Sequence, residues 1–185
     1  LGPDDYPCSA YDGQLTACDY TFAAGSTFPA AFDASNKRCE LTGGHRYITA
    51  DEEHLDEAFT CIANQGLRGK AHSVPASAIQ MAIDPSLVGP GGCNEGFLRD
   101  DALLVATIIS VNTSNLNQDG PDVWMEALYN AKHGDPDAFV VLGLIGDHFQ
   151  PNALCGDAGD GSWLTPIQKF ITQVPHGIWG SICAS

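Results

Sequence analysis

Two runs of aliphatic and β-branched residues constrain this chain more than anything else in it: Ala102-Leu103-Leu104-Val105-Ala106-Thr107-Ile108-Ile109 and Ala138-Phe139-Val140-Val141-Leu142-Gly143-Leu144-Ile145-Gly146. Each is continuous rather than alternating and is followed by turn residues, the pattern of a strand buried on both faces of a parallel sheet. Between them, Pro121-Asp122 opens an amphipathic stretch with Val123, Trp124, Leu128 and Ala131 at helical spacing, closed by Gly134. Beyond the second run, Thr165-Pro166 starts a short helix carrying Ile167, Phe170 and Ile171, and Gly177 to Cys183 reads as a third strand. Strand, helix, strand, helix, strand predicts an α/β fold with parallel strands and right-handed crossovers. A full doubly wound sheet has more strands than these, so a first strand and helix are expected to be missing.

Upstream, Asp51-Glu52-Glu53 supplies the acidic first turn of a helix over 51–64 carrying Leu55, Phe59 and Ile62. Pro75 opens another, with Ile79, Ala82 and Ile83, that ends before Pro85. Residues 1–46 show no sustained period and hold Cys8, Cys18 and Cys39. The 185 residues therefore predict one domain: a disulfide-stapled, loop-rich part over 1–46 and an α/β part over 47–185.

Eight Lys and Arg against 23 Asp and Glu give a net charge of −15, which repels a phosphate backbone or an anionic membrane. Nucleic acid is not expected as a partner, and no run of about 18 apolar residues predicts a membrane span. The seven cysteines are scattered singly, with neither a Cys-x-x-Cys pair nor zinc spacing, and predict an oxidising, exported setting. The expected bridges are Cys8–Cys18, Cys39–Cys61 and Cys155–Cys183, with Cys93 left over, although sequence alone does not fix connectivity.

In open α/β sheets ligands sit beyond the carboxyl ends of the strands. That rule points to Ser110, Asn112, Thr113 and Asn115 after the first run, and to Asp147 and His148 after the second, as a partner-binding edge. Asp147-His148 also offers a His–Asp pair for a hydrolase, but no Gly-x-Ser-x-Gly elbow accompanies it. Asp157, Asp160 and Ser162 resemble the start of a calcium loop without its closing Glu, and Asn112-Thr113-Ser114 matches a glycosylation acceptor. No glycine-rich phosphate loop supports a nucleotide.

The order Gly96-Phe97-Leu98-Arg99-Asp100-Asp101-Ala102-Leu103-Leu104-Val105, Asp119-Gly120-Pro121-Asp122-Val123-Trp124 and Val140-Val141-Leu142-Gly143-Leu144-Ile145-Gly146-Asp147 resembles the C-terminal half of a von Willebrand factor A domain. It is most similar to exported, often lipid-anchored bacterial members of the myxobacterial type. The resemblance implies a three-layer, Rossmann-like, doubly wound and mostly parallel sheet with a metal-ion-dependent adhesion site at its carboxyl edge. That site uses an Asp-x-Ser-x-Ser, a later Thr and a later Asp. Here no Asp-x-Ser-x-Ser occurs, Leu67 beside Arg68 falls at the Thr position, and Ser110-Val111-Asn112 stands where a Thr-Asp pair and further acids are usual. The expectation is therefore a degenerate site with no confident cofactor, taking Mg²⁺ or Ca²⁺ only if a missing N-terminal part supplied ligands. The function expected is a secreted or cell-envelope adhesion-type module, not an enzyme, that binds a protein or cell-surface ligand. The alternatives are a structural domain of a larger envelope protein and a hydrolase.

Overall fold

The computed structural model describes residues 8–11, 13–66, 74–111, 120–156, 159, 161 and 164–184, with backbone only for 8 and 9. The chain divides into two compact units, Leu1–Ala71 with Pro85–Phe97, and His72–Asp84 with Leu98–Ser185. The expected boundary at 46 moves, because helix α1, Leu55–Ala63, belongs to the first unit, where Cys61 is bridged to Cys39.

The second unit is a small α/β fold. Strands β1 (Leu104–Ser110), β2 (Phe139–Ile145) and β3 (Gly177–Ser181) form a parallel sheet in the order β1-β2-β3. Leu104 lies opposite Phe139 and Val141 opposite Gly177. The expected helices are present as α4 (Pro121–Ala131) and α5 (Pro166–Gln173), both with proline in the first turn, where a missing N–H costs nothing. Helix α4 ends in a Schellman turn: His133 adopts φ 54° and the Gly134 N–H reaches the Tyr129 carbonyl at 2.7 Å. Helix α5 starts with a capping box in which Thr165 and Gln168 exchange hydrogen bonds, while the fully buried Gln168 also donates to the Gly146 carbonyl.

A strand order that runs in sequence, with right-handed crossovers, carries both connecting helices to the same face. Helices α4 and α5 accordingly touch each other, and α2 (Pro75–Ala82) joins them against β1 and α4. Under this layer lie Ala106, Ile108, Phe139, Val141 and Ile145 of the sheet, with Trp124, Leu128, Ile167, Phe170 and Ile171 of the helices. Trp124 meets Phe170 edge to face, and Tyr129 meets Phe139 in the same way. Gly143 faces the helices, and a Cβ there would come 2.5 Å from Ile171 Cδ1, so its bareness is what lets α5 approach the sheet.

The sheet's other face corrects the sequence reading. Burial alternates along β1, with Ala106 and Ile108 buried but Val105, Thr107 and Ile109 exposed; along β2, Leu142 and Leu144 are exposed, as are Ile178 and Gly180 of β3. These strands are apolar on both faces but covered on one. Among the described residues a single helical layer accompanies the sheet.

The first unit is held by point contacts around a small core. It contains 3-10 turns at Cys8–Tyr11, Ala17–Tyr20 and Thr42–Gly44, helix α1 and the single-turn helix α3 (Pro85–Val88). Cys18 pairs with Cys93, which replaces the expected Cys8–Cys18 bridge and the expected leftover Cys93. Segment 85–97 is sewn in beside that bridge by the buried Asn94, whose side chain accepts from Gly25 N and donates to Ala23 O. The bridges Cys39–Cys61 and Cys155–Cys183 form as expected.

Helix α1 starts at Leu55 rather than 51, because Glu52 is used elsewhere. Its carboxylate accepts from the Thr42 backbone N–H at 2.8 Å and the Thr42 hydroxyl at 3.1 Å. The Leu55, Phe59, Ile62 stripe is also misread as a core face, for Leu55 and Phe59 are exposed and only Ala58 of the helix is buried.

At the centre of the unit Asp19 takes both Arg38, at 2.8 Å, and Arg46, at 2.7 Å. Arg38 also lies 5.1 Å from the centre of the Phe28 ring. Burial raises the Asp19 pKa, but hydrogen bonds from Arg38, the Thr16 backbone, Arg46 and the Thr16 hydroxyl outweigh it, leaving the group far below the usual carboxylate value.

Candidate functional site

The carboxyl edge of the sheet is where β1, β2 and β3 deliver Ser110, Gly146-Asp147-His148 and Ser181. Asp147 is buried, and both its oxygens are engaged: one accepts from Leu154 N and the other from Cys155 N, each at 2.8 Å. Burial pushes its pKa up, but these two N–H groups and the Ser181 hydroxyl pull harder, so it stays below the ordinary carboxylate value. A carboxylate held down in this way keeps its contacts above about pH 4 and releases them only as pH falls through its lowered value.

Ser181 continues the network. Its hydroxyl accepts from Cys183 N at 3.1 Å and lies 3.6 Å from Cys155 Sγ, itself bonded to Cys183. Asp147, Ser181 and the Cys155–Cys183 bridge thus form one knot at the base of the 147–155 loop. Asp147 serves that knot rather than orienting His148, whose ring lies along the backbone of Gly146 and Gly156. A Cβ at Gly146 would stand 2.9 Å from the ring and one at Gly156 2.6 Å.

Above the knot the loop turns sharply. Phe149 and Asn152 adopt left-handed φ values of 65° and 60°, which bulky residues such as Phe hold only when the surroundings enforce it. The outcome is that Phe149 and Leu154 point outward, 45% and 62% exposed. Sequence reasoning found Asp147 and His148 by their strand-end position but missed these two apolar residues. The signal available was an aromatic and a Leu within ten residues of a strand end that are closed off by a cysteine.

Of the other expected edge residues, Ser110 ends β1 half-buried and Val111 is 58% exposed. Asn112, Thr113 and Asn115, with the glycosylation acceptor, lie outside the described residues, as do Leu67 and Arg68 and the calcium-loop residues Asp157, Asp160 and Ser162. Among the described residues no ligand set for an adhesion-type metal comes together. Val111 has no side-chain oxygen, Asp147 is consumed by backbone amides, and among the described residues no three His, Cys, Asp or Glu side chains gather to hold an ion.

Among the cavities of the first unit, a larger one of about 440 Å³ is lined by His45, Arg46, Tyr47, Cys93 and Glu95, and a smaller one of about 280 Å³ by Lys37, Asp56, Glu57 and Thr60. In the larger one the polar groups already hold the loop: Arg46 binds Asp19, Glu95 Oε2 accepts from Gly91 N, and the Tyr47 hydroxyl donates to Glu95 O. His45 stacks on Tyr47 at 4.9 Å, so that ring lends the site no free aromatic pair.

No helix among the described residues is long and apolar enough to cross a membrane, and three disulfides are compatible with an exported protein. Compared with known protein families, curated proteins and solved structures, the chain matches none.

Proposed function

We propose that this chain is a recognition domain of a secreted or cell-envelope protein, von Willebrand factor A-like in kind, that engages a protein or cell-surface ligand through the carboxyl edge of its sheet without chemistry and without a metal. One observation carries this: the 147–155 loop is tied at its base by Asp147 and Cys155–Cys183 while Phe149 and Leu154 stand exposed on it. Apolar anchors on a pre-ordered loop lose little conformational entropy on binding, and such residues dominate interface energies. Ser110 and His148 then serve as the polar rim, and Asn112, Thr113 and Asn115, outside the described residues, are the further polar contacts that the sequence offers after β1. The likeness is to the helix-and-parallel-sheet part of that three-layered, doubly wound fold; among the described residues the sheet's second face carries no helical layer.

The test titrates fluorescently labelled chain onto intact cells and envelope fractions of the producing organism. Saturable binding should fall at least about tenfold in the Phe149→Ala, Leu154→Ala double variant, with unfolding unchanged. Saturable binding untouched by the double variant would move the site off this edge. No saturable binding at all would favour a structural spacer over a recognition domain.

A further inference from the structure

We infer that the open face of the β1-β2-β3 sheet is a self-association surface, occupied by the same face of a second copy of this chain. An all-parallel sheet is almost always covered on both sides, because both faces of its strands are apolar. Here the uncovered side carries Val105, Thr107 and Ile109 on β1, Leu142 and Leu144 on β2, and Ile178 on β3, all exposed. The register aligns them in rows, Thr107 with Leu142 and Ile178, then Ile109 with Leu144 and Gly180.

Three features favour a second copy over another occupant. The first is charge. A chain at −15 repels its own kind, yet no charged residue lies on these strands. Of the described carboxylates that flank these strands in sequence, Asp100, Asp101, Asp135 and Asp137 precede β1 and β2 at the amino edge and Asp147 follows β2 at the carboxyl edge, off the face. The second is shape. Ile178 projects from β3 at 67% exposure, and two residues on, Gly180 leaves open space where a side chain would be. A knob and a notch on one strand make the self-complementary pair that an isologous two-fold contact requires. The third is area. Three short strands about 4.8 Å apart, rising about 3.3 Å per residue, make a plate of roughly 300 Å² in projection. Two such plates facing each other remove on the order of 1,000 Å² of accessible surface, the lower end of what a specific dimer needs. The association is therefore reversible rather than obligate, and salt strengthens it by screening the acidic edges.

Analytical ultracentrifugation of the intact chain from roughly 1 to 500 µM tests this. The expected result is a monomer–dimer equilibrium that tightens several-fold as salt rises from about 0.05 to 0.5 M. Ile178→Asp should weaken it at least about a hundredfold. Gly180→Leu, which fills the notch without adding charge, should weaken it about tenfold. Both variants replace exposed residues, and unchanged circular dichroism and melting temperature verify their folding. A wild-type chain that stays monomeric at the highest concentration overturns the inference, whatever else then proves to bind the face. So does a dimer indifferent to both substitutions.

Discussion

Replacing Cys18 and Cys93 together by Ala should destabilise the chain by about 4 kcal/mol, the larger share of what a small unit of this kind has. The bridge closes a loop of 75 residues, and loop-closure entropy removed from the unfolded chain grows with that length. It also brings segment 85–97 to the rest of the first unit, where Asn94 alone supplies two further side-chain hydrogen bonds. By the same estimate the Cys39–Cys61 bridge, spanning 22 residues, contributes about 3 kcal/mol, so its removal should be milder. Denaturant titrations of the two double variants, without reductant, measure the difference. Mass spectrometry of a non-reduced digest should recover Cys18 joined to Cys93, and Cys8→Ala should leave that bridge intact. A peptide joining Cys8 to Cys18 would refute the topology.

Asp19→Ala should cost about 3 kcal/mol, because it strips two partly buried guanidinium groups of the carboxylate they share, leaving Arg38 only the attraction of Glu40. Arg38 is 27% and Arg46 12% exposed, so water compensates only in part. Removing Arg38 alone should cost less, since Arg46 still pairs with Asp19. The pH dependence has a definite sign. Asp19 is held far below the value near 3.9 of an unfolded aspartate, so its contribution is complete above about pH 4 and fades as pH falls toward the folded value. Wild-type stability measured from pH 7 down to pH 2 should therefore drop at the acid end, and Asp19→Ala should flatten that drop. An equally steep acid limb in the variant would show that other carboxylates set it.

The strands and helices of the second unit were legible because their signals are local. Proline at the first turn marks α2, α4 and α5 in the chain as in the structure, and the β-branched runs mark β1 and β2. What the runs did not reveal is which face is covered. Val105 and Ile109 are as apolar as Ile108, and only the direction of the crossovers decides that helices lie over Ile108. Glu52 shows the opposite limit, a residue with the right chemistry for a helix start that instead bonds to Thr42, ten positions away. Non-local pairing also hid Cys18–Cys93 and the convergence of Arg38 and Arg46 on Asp19. At the candidate edge, strand ends pointed to Asp147 and His148. Their division of labour depends on where Leu154, Cys155 and Ser181 come to rest, which no spacing encodes.

Lys132 offers a way to watch one part of this fold open. Its amine is buried and donates to the carbonyls of Arg99, Asp100 and Ala102 at 2.7, 3.3 and 2.6 Å, tying the end of α4 to the segment that leads into β1. Lys37 and Lys169, by contrast, are exposed. An acylating reagent applied to the native protein should therefore modify Lys37 and Lys169 within its ordinary reaction time and reach Lys132 only when the 99–102 segment detaches. The delay at that one amine, read by peptide mass, then reports the rate at which the entrance to the sheet comes undone.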